Sequence, residues 1–167
     1  MIARSGLRAV LLLAVLGTVA CDRVTKVLAA ATLAGAPARS FFGDTLRQDY
    51  AENPGAFLGM GADWPPEWRA ALFTGAAFVG LFVVGGLAWR LRHVRGALVG
   101  LALFAAGSLS NLVDRVAYGG VVDFLNVGIG SLRTGIFNLA DVAILAGAAL
   151  VVAYSSRASG PPSGSAA

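Results

Sequence analysis

Charge is scarce in this chain. Asp, Glu, Lys and Arg make up 13% of its 167 residues, whereas 57% are hydrophobic and the mean hydropathy is +0.74. Soluble domains carry about a quarter charged residues, so this composition excludes an ordinary soluble fold and points to a membrane protein. Cysteine and histidine are almost absent. The single Cys21 excludes a disulfide framework and a multi-cysteine metal site, and the single His93, set in the basic run "WRLRHVR", excludes a His-based metal cluster or triad. His93 reads as a solvated loop residue. The net charge of +4 is spread around hydrophobic runs rather than gathered in a stripe, which argues against a nucleic-acid partner. The Gly-rich stretches lack the P-loop spacing, and no internal repeat suggests an inverted-repeat transporter. Neither a metal nor a cofactor is expected.

What the chain has in abundance is long apolar runs. About 20 helical residues cross the hydrocarbon core, and four segments qualify, near 8–30, 69–89, 96–113 and 135–154. The second is bracketed by Trp64 and Trp68 before it and Trp89 at its end, as in the aromatic belts of the two interfaces. Arg4, Arg8, the 90–95 turn and Arg157 are basic without a nearby acid, which places both termini on the cytoplasmic side. All nine acidic residues then fall at or near the outer side. The outer loop 37–67 is too polar to span, and its "SFFGDTLRQDYAENPGAF" predicts one or two short strands with a turn at Pro54-Gly55. The other outer segment, 114–134, is again partly extended. The expected fold is therefore an all-α integral membrane protein of four transmembrane helices with a small β-containing extracytoplasmic cradle. Residues 1–155 form one domain, and 156–167 form a disordered cytoplasmic tail.

Polar residues inside spans are costly, so each is a functional candidate. Asp22 and Lys26 stand four apart on one helical face, as a structural ion pair or as part of a site. In "SLSNLVDR", Asn111 and Asp114 sit three apart with Arg115 following, at the outer end of the third span. Asn138 and Asp141 in "FNLADVAIL" repeat that spacing, with Asp141 expected about two turns inside the fourth span. A lone carboxylate at that depth protonates or finds a partner. Asp123, in "GGVVDFLNV", offers one. Two carboxylates brought together cannot both ionise readily, so one holds a proton while the other activates water, which is aspartic-protease chemistry. A Ser-Lys pair of Lys26 with Ser108 or Ser110 remains formally open, although nothing in the spacing brings them together.

Five blocks in order, "DRVTK" (22–26), "NPGAFLG" (53–59), "NLVDR" (111–115), "VVDF" (121–124) and "FNLAD" (137–141), resemble the lipoprotein signal peptidases, the type II signal peptidases of bacteria. The resemblance covers residues 5–155. It implies an aspartic endopeptidase of the bacterial cytoplasmic (inner) membrane, acting on diacylglyceryl prolipoproteins; membrane lipid is an expected partner and a monomer the expected state. By motif, it implies Asp123 and Asp141 as the catalytic dyad, and Asn53, Asn111 and Arg115 as substrate-positioning residues. Asp22, Lys26, Gly55, Asp114, Asn138 and Ala140 are implied to support them. Arg23, Phe57 and Ser110 depart from the family's usual Gln, Ala and Gly.

Two other readings stand beside this one. Intramembrane carboxylates also serve small transporters and proton relays. The run "RSGLRAVLLLAVLGTVACDRVTK" also has the look of a lipoprotein signal peptide cut before Cys21. Against that, Thr18 occupies the position where Leu is favoured, apolar character resumes at "VLAAATLAG", and three more spans follow. A retained first helix is the expectation.

Overall fold

The computed structural model describes residues 4–55, 61 and 63–158. Phe57 and residues 159–167 of the expected tail lie outside the described residues.

Each apolar run forms a helix, and the helix boundaries follow caps and pairing rather than hydropathy alone. Helix α1 spans Arg4–Leu33, α2 Pro66–Arg90, α3 Arg95–Tyr118 and α4 Leu139–Ala158. Among the described residues, α2, α3 and α4 are long and apolar enough to cross a membrane. Charged residues interrupt the apolar character of α1, which at 30 residues is about 45 Å long on a rise of 1.5 Å per residue. It runs unbroken through Cys21, which is exposed.

Strands β1 (Arg39–Phe41), β2 (Leu46–Asn53), β3 (Val121–Ile129) and β4 (Leu132–Arg133) form one antiparallel sheet in the order β1-β2-β3-β4. The sheet joins the two segments expected to be extended, although 114–118 continue α3 instead. Gly119, with φ 76°, ends that helix in the left-handed conformation, and its N–H donates to the Arg115 carbonyl. Ala51 pairs with Asp123 and Asn53 with Val121, after a bulge between Gln48 and Ala51. In the β1–β2 turn, Phe42, Gly43 and Asp44 all have positive φ. The Asp44 carboxylate clamps this turn by accepting from Ser40 Oγ (2.7 Å) and from Arg47 Nε (2.6 Å) and Nη2 (2.5 Å). Arg133 ties β4 to the turn through the Asp44 carbonyl (2.7 Å).

The sheet is seated on the bundle by Phe124, buried against Ala29 and Leu33 of α1, with Tyr50, Val122, Leu125 and Leu139 around them. Helices α3 and α4 approach closely because small residues meet. A Cβ on Gly100 would lie 2.7 Å from the Gly147 carbonyl oxygen, and one on Gly107 would overlap the Ala140 carbonyl oxygen. In α2, none of the most apolar stretch is buried, so that helix turns its apolar surface outward.

One boundary differs in a way that bears on function. The run at 135–154 predicts a helix holding Asp141 two turns deep, whereas α4 begins at Leu139 and Asp141 lies in its first turn. Residues before it are drawn into the sheet, where the Phe137 carbonyl accepts the N–H groups of Phe124 (3.0 Å) and Leu125 (2.8 Å) and Phe137 N–H donates to the Leu125 carbonyl (2.8 Å). Backbone pairing with β3 outcompetes an extra helical turn here.

Candidate active site

Asn138 immediately precedes α4 and forms a reciprocal cap with Asp141. The Asn138 Oδ1 accepts the Asp141 N–H (3.0 Å), while Asp141 Oδ2 accepts the Asn138 N–H (3.2 Å). This is the arrangement of a capping box, with Asn and Asp in the two roles. The N-x-x-D spacing thus encodes a helix start, and it delivers the Asp141 carboxylate to the positive end of the α4 dipole.

Asn138 has one further donor, and it reaches the sheet. Its Nδ2 donates to Asp123 Oδ1 (2.6 Å), so a single asparagine binds both carboxylates. Asp123 Oδ2 accepts from Asn53 Nδ2 (2.9 Å), whose Oδ1 in turn accepts the Gly55 N–H (2.9 Å) in a turn of the 53–55 backbone. Asp123 and Asn138 are buried almost completely, and Asp141 and Asn53 nearly so. Burial pushes the Asp123 carboxyl up from its ordinary 3.8 to about 6. The bonds from Asn53 and Asn138 oppose that rise, the charge of Asp141 adds to it, and the more distant Lys26 lowers it slightly.

Asp141 Oδ1 accepts from Asn111 Nδ2 (2.9 Å), and the Asn111 Oδ1 accepts from Lys26 Nζ (2.8 Å). Lys26 also donates to Asp114 Oδ2 (2.7 Å) and lies 2.6 Å from Asp22 Oδ2. Asp22, wholly buried, accepts from Ser110 Oγ (2.6 Å) and, with its other oxygen, from the Ala140 N–H (2.9 Å). Arg23 pairs with Asp114. Arg115 Nη1 donates to the Asn111 carbonyl (3.2 Å) and Nη2 to that of Gly55 (3.1 Å), while its buried Nε has no partner among the described residues.

All eleven residues singled out from the sequence therefore converge on one end of the bundle, where α1, α3, α4 and the β2–β3 pair meet. The structure adds Arg23 and Ser110, two departures from the family's usual residues, both bonded into the same buried network. Asn53 and Asn111 hold carboxylate oxygens directly. Side-chain donors and acceptors of these types are ambiguous in a sequence, because many of their partners are 15 to 118 positions away.

A cleft of about 430 Å³ opens beside Asp141, Asn111 and Arg115, walled by Phe73, Ala76, Ala77 and Gly80 of α2, Phe104 and Ser108 of α3, and Ile144 and Leu145 of α4. It is apolar save for its polar floor. Among the described residues no group of three or more His, Cys, Asp and Glu is arranged to hold a metal ion.

Residues 14–157 match the family model described as signal peptidase (SPase) II. A lipoprotein signal peptidase of Sphingopyxis alaskensis is 37% identical over 139 residues, covering 79% of this chain and 76% of the relative. One from Syntrophus aciditrophicus is 38% identical over 105 residues, covering 62% of this chain and 65% of its own length. A solved structure described as a bacterial membrane enzyme, determined by the in meso method at 2.3 Å resolution, superposes with a TM-score of 0.74 at 25% identity and covers 94% of both chains.

Proposed function

The chain belongs to the signal peptidase II family, and from that premise we propose that it is a membrane-embedded aspartic endopeptidase. It removes the signal peptide from diacylglyceryl-modified prolipoproteins by cutting before the lipidated cysteine. The observation that carries this reading is the sharing of Asn138 by the Asp123 and Asp141 carboxylates. The Asn138 side-chain Nδ2 donates to Asp123 and its backbone N–H to Asp141, so one residue holds the two acids side by side without taking their proton.

The environments of the two acids differ, and the difference assigns their roles. Asp123, pushed up to about 6 by burial, is the member that keeps the shared proton. Each acid accepts two N–H groups, but Asp141 also stands at the positive start of a helix, so in this reading it carries the negative charge and accepts a proton from water. Water attacks the scissile carbonyl carbon while Asp123 donates its proton to the carbonyl oxygen. Collapse of the tetrahedral species breaks the C–N bond, the cysteine amine leaves with a proton, and the signal peptide keeps the new carboxyl group. Arg115, with its unused Nε, and Asn111 line the cleft as substrate-positioning residues. Asn53 orients Asp123, and Asp22, Lys26, Gly55, Asp114 and Ala140 hold these groups in register.

In the proposed topology all four helices span the bacterial cytoplasmic membrane, with both termini inside and the dyad toward the outer face. For α1, the burial of Asp22 and Lys26 while Val24, Val27 and Leu28 stay exposed supports a lipid-facing outer surface. Trp64, Trp68 and Trp89, all exposed, flank α2 as interfacial anchors would. The apolar cleft suits a lipidated cysteine arriving laterally from the bilayer, to a chain acting as a monomer. Acids gathered at one end argue against a proton relay through the bundle.

Cleavage of one diacylglyceryl prolipoprotein by protein in detergent tests the reading. Asp123→Asn and Asp141→Asn should each lower turnover at least about a thousandfold while remaining folded, as loss of an essential acid or base does. Full processing by either variant overturns it.

A further inference from the structure

We propose that Lys26 is a positioning residue that acts on Asp141 through Asn111, an inference that rests on the dyad reading above. An asparagine amide can turn either end toward a neighbour, and only one of its two ends suits a carboxylate. Lys26 decides which. Its ammonium donates and cannot accept, so the Asn111 Oδ1 must face it, at 2.8 Å, and the NH₂ must face away. The direction away is Asp141 Oδ1, at 2.9 Å. Rotated by half a turn, Asn111 would set its oxygen against the Asp141 carboxylate and an N–H against the ammonium.

The arrangement works because the ammonium is surrounded. It donates to Asp114 Oδ2 (2.7 Å) and Asn111 Oδ1 (2.8 Å) and is ion-paired with Asp22 Oδ2 (2.6 Å), and Lys26 is buried. Two buried carboxylates on one ammonium would leave a net negative charge, which is costly away from water. Arg23, next to Asp22 on α1, supplies the second cation to Asp114. The four charges then cancel, and Lys26 keeps its hydrogen bond to the amide rather than being drawn wholly to the acids.

A coupling experiment on the full chain reads this directly. Lys26→Met combined with Asp22→Asn keeps the cluster neutral, because Asp114 and Arg23 remain paired, and the amide oxygen that replaces the Asp22 carboxylate still accepts the Ala140 N–H. We expect kcat to fall tenfold or more with KM within threefold, since the cleft walls are untouched. Asn111→Ala should lower kcat at least as far, and adding the Lys26→Met/Asp22→Asn pair to it should cause no further loss. Asn111→Asp, which retains the acceptor for Lys26 but replaces the donor to Asp141 with a second buried carboxylate, should lose kcat at least as far as Asn111→Ala does. The proposal is overturned if the losses multiply when combined, if the neutral pair keeps kcat within twofold of wild type, or if Asn111→Asp does. Failure of the dyad reading itself has a different signature, undiminished cleavage by Asp141→Asn.

Discussion

At the residue scale, the site is a set of N–H donors from Asn53, Asn111 and Asn138 aimed at two acids. Asn138 serves both acids and also caps α4, so Asn138→Ala should cost about 1 kcal/mol of stability as a lost cap. It should lower kcat far more, about a hundredfold, because Asp123 loses its Nδ2 donor and the cap that fixes the Asp141 backbone goes with it, as a small misplacement of reacting groups does. A thermal melt set against single-turnover cleavage separates the two effects. The raised Asp123 value makes a second, signed prediction. Its ordinary value is 3.8 and its folded value about 6, so the folded protein binds that proton more tightly than the unfolded chain. The resulting stability is fully present below about pH 4 and is lost as pH rises to about 6, by an upper bound of about 3 kcal/mol at roughly 1.4 kcal/mol per unit. Asp44 works the other way. The Arg47 and Ser40 hydrogen bonds hold its carboxyl well below the usual range, so its contribution fades as pH falls. Melts between pH 4 and 7 should therefore show a decline that Asp123→Asn removes. In the proposed mechanism turnover needs Asp123 protonated, so it should fall on the alkaline side with an apparent value near 6 that belongs to the pair.

At the element scale, the decisive feature is where α4 starts. Hydrophobicity marks an apolar run but not its first helical residue, and Gly135-Ile136-Phe137 suits an extended segment as well as a helix. The signal that locates the start was present as Asn138-x-x-Asp141, a capping pattern that also reads as a pair of polar residues in a span. The close approach of α3 and α4 then sets the distance from Asn111 to Asp141. One turn before Asn111, Gly107 faces the Ala140 carbonyl so closely that a Cβ there would collide with its oxygen. Gly107→Val should therefore push the start of α4 away, destabilise the protein by about 1–3 kcal/mol and lower kcat about tenfold or more. Substitution of the open Gly85 on α2, which has nothing within 4 Å, is the matched control and should leave cleavage unchanged. Thermal melts and cleavage rates on the two variants check this.

At the scale of the whole molecule, the chain lays out a charge asymmetry and the fold turns it into a site. Basic residues cluster in the turn between α2 and α3, where Arg92 also stacks on Trp89 at 5.1 Å, and the acids gather at the opposite end. With Cys21→Ser as background, a cysteine at position 40 should react with a membrane-impermeant thiol reagent on intact spheroplasts. One at position 92 should react only after permeabilisation, and the reverse pattern would invert the orientation. The sequence by itself determined the membrane character, the four helical segments, the strands flanking the site and the polar residues that converge on it, because hydrophobic run length and local spacing are properties of neighbours along the chain. Only the tertiary structure decided which of those residues touch. It turned Asn138 into a bridge between Asp123 and Asp141, gave Lys26 its hold on Asn111, and brought Arg23 and Ser110 into the buried network. Most of those partners stand tens of residues apart, and satisfying buried donors and acceptors is settled by packing in space rather than by order in sequence.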